Sequence, residues 1–394
     1  MPARTMHART IDFSFATASE IVFGRGSSKQ LAARTLLLGS RPLVVTGRGA
    51  ARHAWLFADF EARGTAVAHY VVQSEPTTDD VAAVVGLGRD HRADVVLGLG
   101  GGSALDLAKA AAGLIPAPGD ALDYLEVVGR GAHLPGPALP SVLCPTTAGT
   151  GAEVTKNAVI EARTAQVKVS LRSPLLLPRL ALVDPELTLS VPRDVTAATG
   201  CDALAQVIEP FLSQNANPLT DALCREGIRR GAPALLRAFE DGTDLDAREG
   251  LCITSLCGGL ALANAKLGAV HGFAGPLGGL LHAPHGALCA ALLAPSLRVN
   301  HAALSARAPD SPALGRLDKL GVLLTGSATA KAEDAFAWCD RTVKVLGIRR
   351  LGALGLKKAQ LGDVVQKAQR SSSMQGNPLV LSEGELTEIL ERAL

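Results

Sequence analysis

Nineteen residues, GAVHGFAGPLGGLLHAPHG over 268–286, hold three of the chain's nine histidines, His271, His282 and His285, in an otherwise apolar, glycine-rich setting. An imidazole buried in such a setting needs a hydrogen-bond partner or a metal ion. His271 and His285 stand 14 residues apart. On one continuous helix that is about 21 Å of rise, far beyond the reach of two metal–nitrogen bonds of about 2 Å. Pro276, Gly278, Gly279 and Pro284 make a continuous helix implausible, and a turn among them would let the two rings share an ion. Upstream, Asp202 and Gln206 are four apart and Glu209 is seven from Asp202, so a helix would set their side-chain oxygens on or beside one face. That spacing suits a ligand set and a solvated or capping pair alike.

Two further segments could hold phosphates. The apolar run ADVVLGLG passes directly into Gly100-Gly101-Gly102-Ser103 and then a helical pattern, placing unobstructed backbone N–H groups at a helix N-terminus. The run departs from G-x-G-x-x-G, since Ser103 stands at the third glycine position, and no P-loop lysine follows. A phosphate cradle and a tight strand-to-helix turn both fit. The segment Pro145 to Glu153, PTTAGTGAE, sets Thr146, Thr147 and Thr150 on a glycine-loosened turn after another apolar run. It reads as a donor surface for sugar hydroxyls or phosphates, or as a Thr-rich turn.

The elements that would position these groups change in character along the chain. From about residue 20 to 190, short apolar runs (PLVVT, HYVVQ, ADVVLGLG, SVLCP and LALVD) alternate with helical stretches such as TDDVAAVVGLGRDHR and SALDLAKAAAGLI. This is the pattern of parallel strands with crossover helices. After Val191-Pro192, segments starting near Asp194, Asn217, Asp244 and Glu333 are Ala/Leu-rich, bounded by Pro, Gly or Asx residues, and helical in pattern. The expected organisation is an α/β domain over 1–190 with a mostly parallel sheet and an all-α domain over 191–394, with a ligand cleft between them.

Composition narrows the function classes. With 394 residues there is room for two or three well-buried domains. Lys+Arg 39 against Asp+Glu 37 gives a net charge of +2, too small and too interspersed for non-specific nucleic-acid binding. No apolar run is expected to reach the 18 or so residues of a membrane span, and the first 20 residues lack the apolar core of a secretory signal, so the expected location is cytoplasmic. The seven cysteines, Cys144, Cys201, Cys224, Cys252, Cys257, Cys289 and Cys339, contain no C-x-x-C pair, which argues against a disulfide framework and a thiolate zinc cluster; most read as small buried residues.

Taken in order and at their separations, GLGGGSALDLAK, CPTTAGTGAEVT, LVDPELTLSVP, ATGCDALAQVIEPF and GAVHGFAGPLGGLLHAPHG resemble the iron-containing (group III) alcohol dehydrogenase family, and SSSMQGNP over 371–378 extends the resemblance. The resemblance implies a dinucleotide-binding α/β domain and a helical domain, the architecture shared with dehydroquinate synthase-like proteins. A divalent metal, Fe2+ or Zn2+, would lie beside the nicotinamide. The implied chemistry is reversible hydride transfer between NAD(P)H and a small alcohol or aldehyde, in a homodimer or larger homo-oligomer. By the same resemblance, Gly100 to Ser103 would take the cofactor pyrophosphate and Asp106 would lie toward the nicotinamide. Thr146, Thr147 and Thr150 would contact ribose, phosphates and the nicotinamide region, and Asp202, His271 and His285 would ligate the metal.

Three positions depart from the family pattern. Gln206 stands where a ligand histidine is usual, and an amide oxygen is a poorer donor than imidazole to a borderline metal. Related zinc polyol dehydrogenases manage with one Asp and two His, so Gln206 or water could take the fourth place. Gly275 stands where many members have a histidine credited with relaying the alcohol proton; His282 could replace it if the turn brings its ring into the cleft, and otherwise reads as a structural histidine or one supporting a ligand. Gly47, followed by Arg48, stands where NAD-preferring members carry an aspartate for the ribose 2′-OH, which points toward NADP(H). Two rivals follow. A dehydroquinate synthase-like enzyme would want several cations for a substrate phosphate, and only Lys156 and Lys266 lie near the motifs. A cofactor-binding protein without catalysis would explain the missing histidines at 206 and 275.

Overall fold

The computed structural model describes residues 12–126, 128–163 and 167–394. The first half contains strands β1 (Ile21–Phe23), β2 (Pro42–Gly47), β3 (Ala68–Val72), β4 (Val95–Gly100), β5 (Ser141–Pro145), β6 (Asn157–Ala162), β7 (Val167–Arg172) and β8 (Leu180–Val183). Between them lie helices α1 (Leu31–Leu36), α2 (Ala54–Ala62), α3 (Thr78–Asp90), α4 (Gly102–Leu114) and α5 (Ala121–Tyr124). Six strands form one parallel sheet in the order β1-β8-β5-β4-β2-β3, and β6 pairs antiparallel with β7 as a separate hairpin.

Strands β4 and β5 are buried along their whole length, as the near-continuous apolar runs of a two-faced parallel sheet require. Helix α3 starts where Thr77 caps it, its side chain accepting the Asp80 N–H while Asp80 accepts the Thr77 N–H. The chain leaves β2 for β3 on one side and returns to the other side for β4, so the strand order reverses between β2 and β4. The crevice outside the carboxyl ends at such a reversal is where open α/β sheets bind ligands, and those ends are Gly47 and Gly100.

The second half is helical: α6 (Arg193–Leu212), α7 (Pro218–Glu240), α8 (Leu245–Ala265), α9 (Ala269–Leu281), α10 (His285–Arg307), α11 (Pro312–Thr325), α12 (Ala332–Val345), α13 (Leu361–Gln369) and α14 (Glu383–Ala393). Asn217 and Asp244 cap α7 and α8 through their side chains. Helix α10 is long and apolar enough by composition to span a bilayer, contrary to the expectation that no segment is. Of its most apolar stretch 72% is buried inside the fold, so its apolarity serves the core that α6 and α10 share.

The expected turn between His271 and His285 is present, but it lies at Pro284 and not across Pro276, Gly278 and Gly279. Helix α9 runs through all three to Leu281. Val270, His271, Phe273, Ala274 and Leu277 are buried along it, and that packing offsets the roughly 3 kcal/mol an interior proline costs. The turn falls later, at His282-Ala283-Pro284, where His282 takes a left-handed conformation at φ 49° and ends α9.

Candidate metal and cofactor site

Asp202, Gln206 and Glu209 lie on α6 and all three are buried. His271 is on the first turn of α9, and His285 is the first residue of α10. The turn at 282–284 reverses the chain, so residues 14 apart bring their rings to 5.4 Å between centroids. Gly286 fixes how close α10 comes to α6. A Cβ at Gly286 would fall 2.0 Å from the carbonyl oxygen of Ala198, one turn before Asp202, so the approach that sets His285 beside Asp202 requires glycine.

The donor atoms converge. Asp202 Oδ1 lies 3.2 Å from His271 Nε2 and 3.7 Å from His285 Nε2. A residue not anticipated as a site member joins them: Cys289, one turn after His285 on α10, puts its Sγ 3.6 Å from His285 Nε2 and 3.8 Å from His271 Nε2. One donor atom from each of Asp202, His271, His285 and Cys289 lies within 4.8 Å of the others. Asp202 and His271 are enclosed, whereas the His285 side chain is 42% exposed, so the group opens to solvent on that side. Behind His271, Glu209 Oε2 accepts from Nδ1 at 2.5 Å and Oε1 accepts the Val270 N–H at 2.7 Å.

The electrostatics match a cation-binding centre. Burial alone would raise Asp202, but His285, His271 and a Gln206 hydrogen bond outweigh it and hold the carboxyl below its ordinary range. Burial opposes charge on His271, yet Cys289, Glu209 and Asp202 lift it well above an ordinary imidazole. Cys289, joined by Asp202, pushes His285 up to about 9 against burial and the neighbouring His271. Gln206 Oε1 is buried with no hydrogen-bond partner among the described residues, and it lies against Gly258. Two imidazoles, a carboxylate and a thiol whose donor atoms lie within 4.8 Å of one another are the donor chemistry of a cation site. The residues fit a divalent metal.

His282 is placed elsewhere. It is exposed at the end of α9, outside the converging group, so the expectation that it replaces the proton-relay histidine is not met by its position. Gly275, four residues after His271 on α9, is exposed, and a Cβ there would meet no heavy atom within 4 Å.

The second group of expected residues lines the crevice at the strand reversal. Gly47, Arg48, Gly100, Gly101, Thr146 and Thr147 all face one cleft, and Val195 on the first turns of α6 closes it. From Val195 to Asp202 is two turns of α6, about 10 Å of rise, so cleft and donor group share one helix. Gly101 caps α4 with no side-chain bond, leaving the first N–H groups of that helix, Ser103 among them, directed at the cleft end. The turn is tight on both sides: a Cβ at Gly100 would fall 3.2 Å from the Gly47 nitrogen, and one at Gly102 would fall 2.8 Å from the Thr150 methyl. Asp106 is engaged on its own helix, accepting from Lys109 Nζ at 2.9 Å and from the Val159 N–H of β6 at 3.2 Å. Two cleft residues went unrecognised in the sequence. Arg52, four after Arg48, donates to Ser190 Oγ at 3.1 Å, and the buried Nδ1 of His53 has no partner among the described residues. The signal for Arg52 was the R-x-x-x-R spacing directly after β2.

Comparison with known proteins agrees with this geometry. Residues 18–185 match the family model described as iron-containing alcohol dehydrogenase, and residues 196–394 match that of the Fe-containing alcohol dehydrogenase family, C-terminal. The chain is 37% identical to long-chain-alcohol dehydrogenase 1 of Geobacillus thermodenitrificans over 82% of this chain and 80% of that one. It is 32% identical to 1,3-propanediol dehydrogenase of Klebsiella pneumoniae over 97% and 98%. Among solved structures, a 1,3-propanediol oxidoreductase superposes with a TM-score of 0.88 at 30% identity, covering 97% of this chain and 100% of that one. Sulfoacetaldehyde reductase from Bifidobacterium kashiwanohense, in complex with NAD+, superposes with a TM-score of 0.86 at 28% identity, covering 98% and 99%.

Proposed function

Because this chain belongs to the iron-containing alcohol dehydrogenase family, we propose that it transfers hydride reversibly between NADP(H) and a small alcohol or aldehyde, with a divalent metal, Fe2+ or Zn2+, held by Asp202, His271 and His285. The observation that carries the reading is the convergence of Asp202 Oδ1 and the two Nε2 atoms at 3.2 and 3.7 Å, on the helix whose first turns close the cleft at the strand reversal. When bound there, the metal supplies Lewis acidity that polarises an alcohol or carbonyl oxygen.

The chain's own residues do the rest. The N–H groups at the start of α4 bind the pyrophosphate, the hydroxyls of Thr146 and Thr147 in the cleft border it, and Thr150, packed against Gly102, lies toward the nicotinamide end. Glu209 fixes His271 in the tautomer whose Nε2 is free to ligate. Substrate enters from the side where His285 is exposed. With glycine at 275 and His282 displaced, the alcohol proton leaves to water beside α9. Arg48 and Arg52 border the cleft at the end of β2, where Gly47 leaves no carboxylate to repel a 2′-phosphate, and this favours NADP(H) over NAD(H).

Asp202→Ala and His271→Ala each abolish turnover of an aldehyde panel while leaving the NADPH dissociation constant nearly unchanged, measured by fluorescence on protein whose thermal transition confirms folding. Retained turnover in either folded variant rejects the assignment.

A further inference from the structure

The donor group contains one more ionisable side chain than the metal reading above uses. Cys289 is completely buried, and it sits four residues after His285, so both side chains leave the same face of α10. The six other cysteines are also buried, and none of them belongs to the donor group. A tetrahedral ion with bonds of about 2.1 Å to nitrogen and oxygen and about 2.3 Å to sulfur spaces its donor atoms roughly 3.3 to 3.6 Å apart. The spacings here are 3.2 Å and 3.7 Å from Asp202 to the two imidazoles, and 3.6 Å and 3.8 Å from the sulfur to the same two nitrogens. Four of the six edges of such a tetrahedron are thus matched to within about 0.2 Å, and all four atoms lie within 4.8 Å of one another.

We propose that Cys289 is a thiolate ligand of the metal, completing an Asp-His-His-Cys donor set and filling the coordination place that Gln206 leaves weak. The proposal rests on the metal reading and deepens it. Charge supports sulfur over the amide. A thiolate brings a negative charge and a strong donor to a divalent ion, which the neutral amide of Gln206 does not. A thiolate also makes the site softer, so the set selects zinc or cobalt over a hard ion such as magnesium.

The test uses Co2+ as a spectroscopic stand-in on full-length protein stripped by a chelator. Wild type should take up one Co2+ with a near-ultraviolet sulfur-to-cobalt charge-transfer band. Cys289→Ser and Cys289→Ala should both lose that band and bind Co2+ at least about tenfold more weakly, beyond the lower end of what outer-shell changes cost. Gln206→Leu should keep the band. A wild-type complex showing visible cobalt bands without the charge-transfer band, or a band that survives in a folded Cys289 variant, overturns the thiolate and leaves the metal reading standing. Absence of any Co2+ uptake by wild type overturns both.

Discussion

Glu209 and His271 form a buried carboxylate–imidazole pair in which both carboxylate oxygens are committed: Oε2 takes the Nδ1 proton at 2.5 Å and Oε1 takes the Val270 N–H at 2.7 Å. The ring is thereby oriented from behind, with Nε2 turned to Asp202. Metal-ligating histidines depend on such partners to fix tautomer and ring plane.

The Glu209→Gln variant keeps the shape and loses the arrangement. A glutamine has one acceptor oxygen where two are needed, so its NH2 must face either the Val270 N–H or the imidazole N–H, leaving two donors opposed. Metal affinity should fall about 10- to 100-fold, as outer-shell changes of this kind do. NADPH affinity should stay unchanged, because the cleft residues lie at the other end of α6. Metal titration followed by optical or mass-spectrometric quantitation checks the first expectation, and nucleotide fluorescence the second. Equal metal affinity in the two proteins would remove Glu209 from the site.

Much of this was readable in the sequence, and what was missed has physical causes. β4 and β5 declared themselves because two buried faces demand uninterrupted apolar runs. β1 is three half-buried residues, too short to carry a pattern, and β6 and β7 form a hairpin outside the main sheet. His271 and His285 stood out because imidazoles in an apolar segment are conspicuous. Cys289 was not, because a buried cysteine ordinarily means packing, although H-x-x-x-C on one helix was a usable ligand spacing. The break expected across Pro276 appears instead at His282, because tertiary burial of α9 outweighs local propensity.

The proposed preference for NADP(H) rests on Arg48 and Arg52 at the cleft. A charge-assisted hydrogen bond to a 2′-phosphate contributes about 1.5–3 kcal/mol, so Arg48→Ala and Arg52→Ala should each raise the KM for NADPH about tenfold or more with little change for NADH. Gly47→Asp should reverse the preference, since a carboxylate there repels the phosphate and accepts the ribose hydroxyl. The ratio of kcat/KM for the two nucleotides at one fixed aldehyde reads this directly. Parallel losses with both nucleotides would place the arginines away from the 2′ position.

Glu153, the last residue of the threonine-rich turn, is buried, with Oε2 unpartnered among the described residues. Burial raises its carboxyl to about 7 against the opposing pull of its own backbone N–H and Lys109. The folded state therefore holds a proton that the unfolded chain has released between about pH 4.5 and 7. Its contribution to stability is fully present below the unfolded value and is lost as the pH rises through about 7. Glu153→Gln removes that loss. Its Tm should match wild type near pH 4.5 and exceed it at pH 8, by calorimetry; a Tm difference constant with pH would mean the carboxyl titrates normally.

Gly275 leaves room on α9 for an added imidazole. It projects from the same face of α9 as His271, one turn along, and a Cβ there meets nothing within 4 Å, so an imidazole can be added without repacking the helix. A positioned imidazole titrating near neutrality contributes about 10²–10⁴ to proton transfer where that transfer limits the rate. Gly275→His should raise kcat for alcohol oxidation about tenfold or more near pH 7 and add an ionisation near 6.5 to its pH profile, with metal content unchanged. If kcat and its pH profile stay as in wild type at full metal occupancy, water beside α9 already carries the proton as well as a histidine can, and the loss of the histidine cost this enzyme nothing.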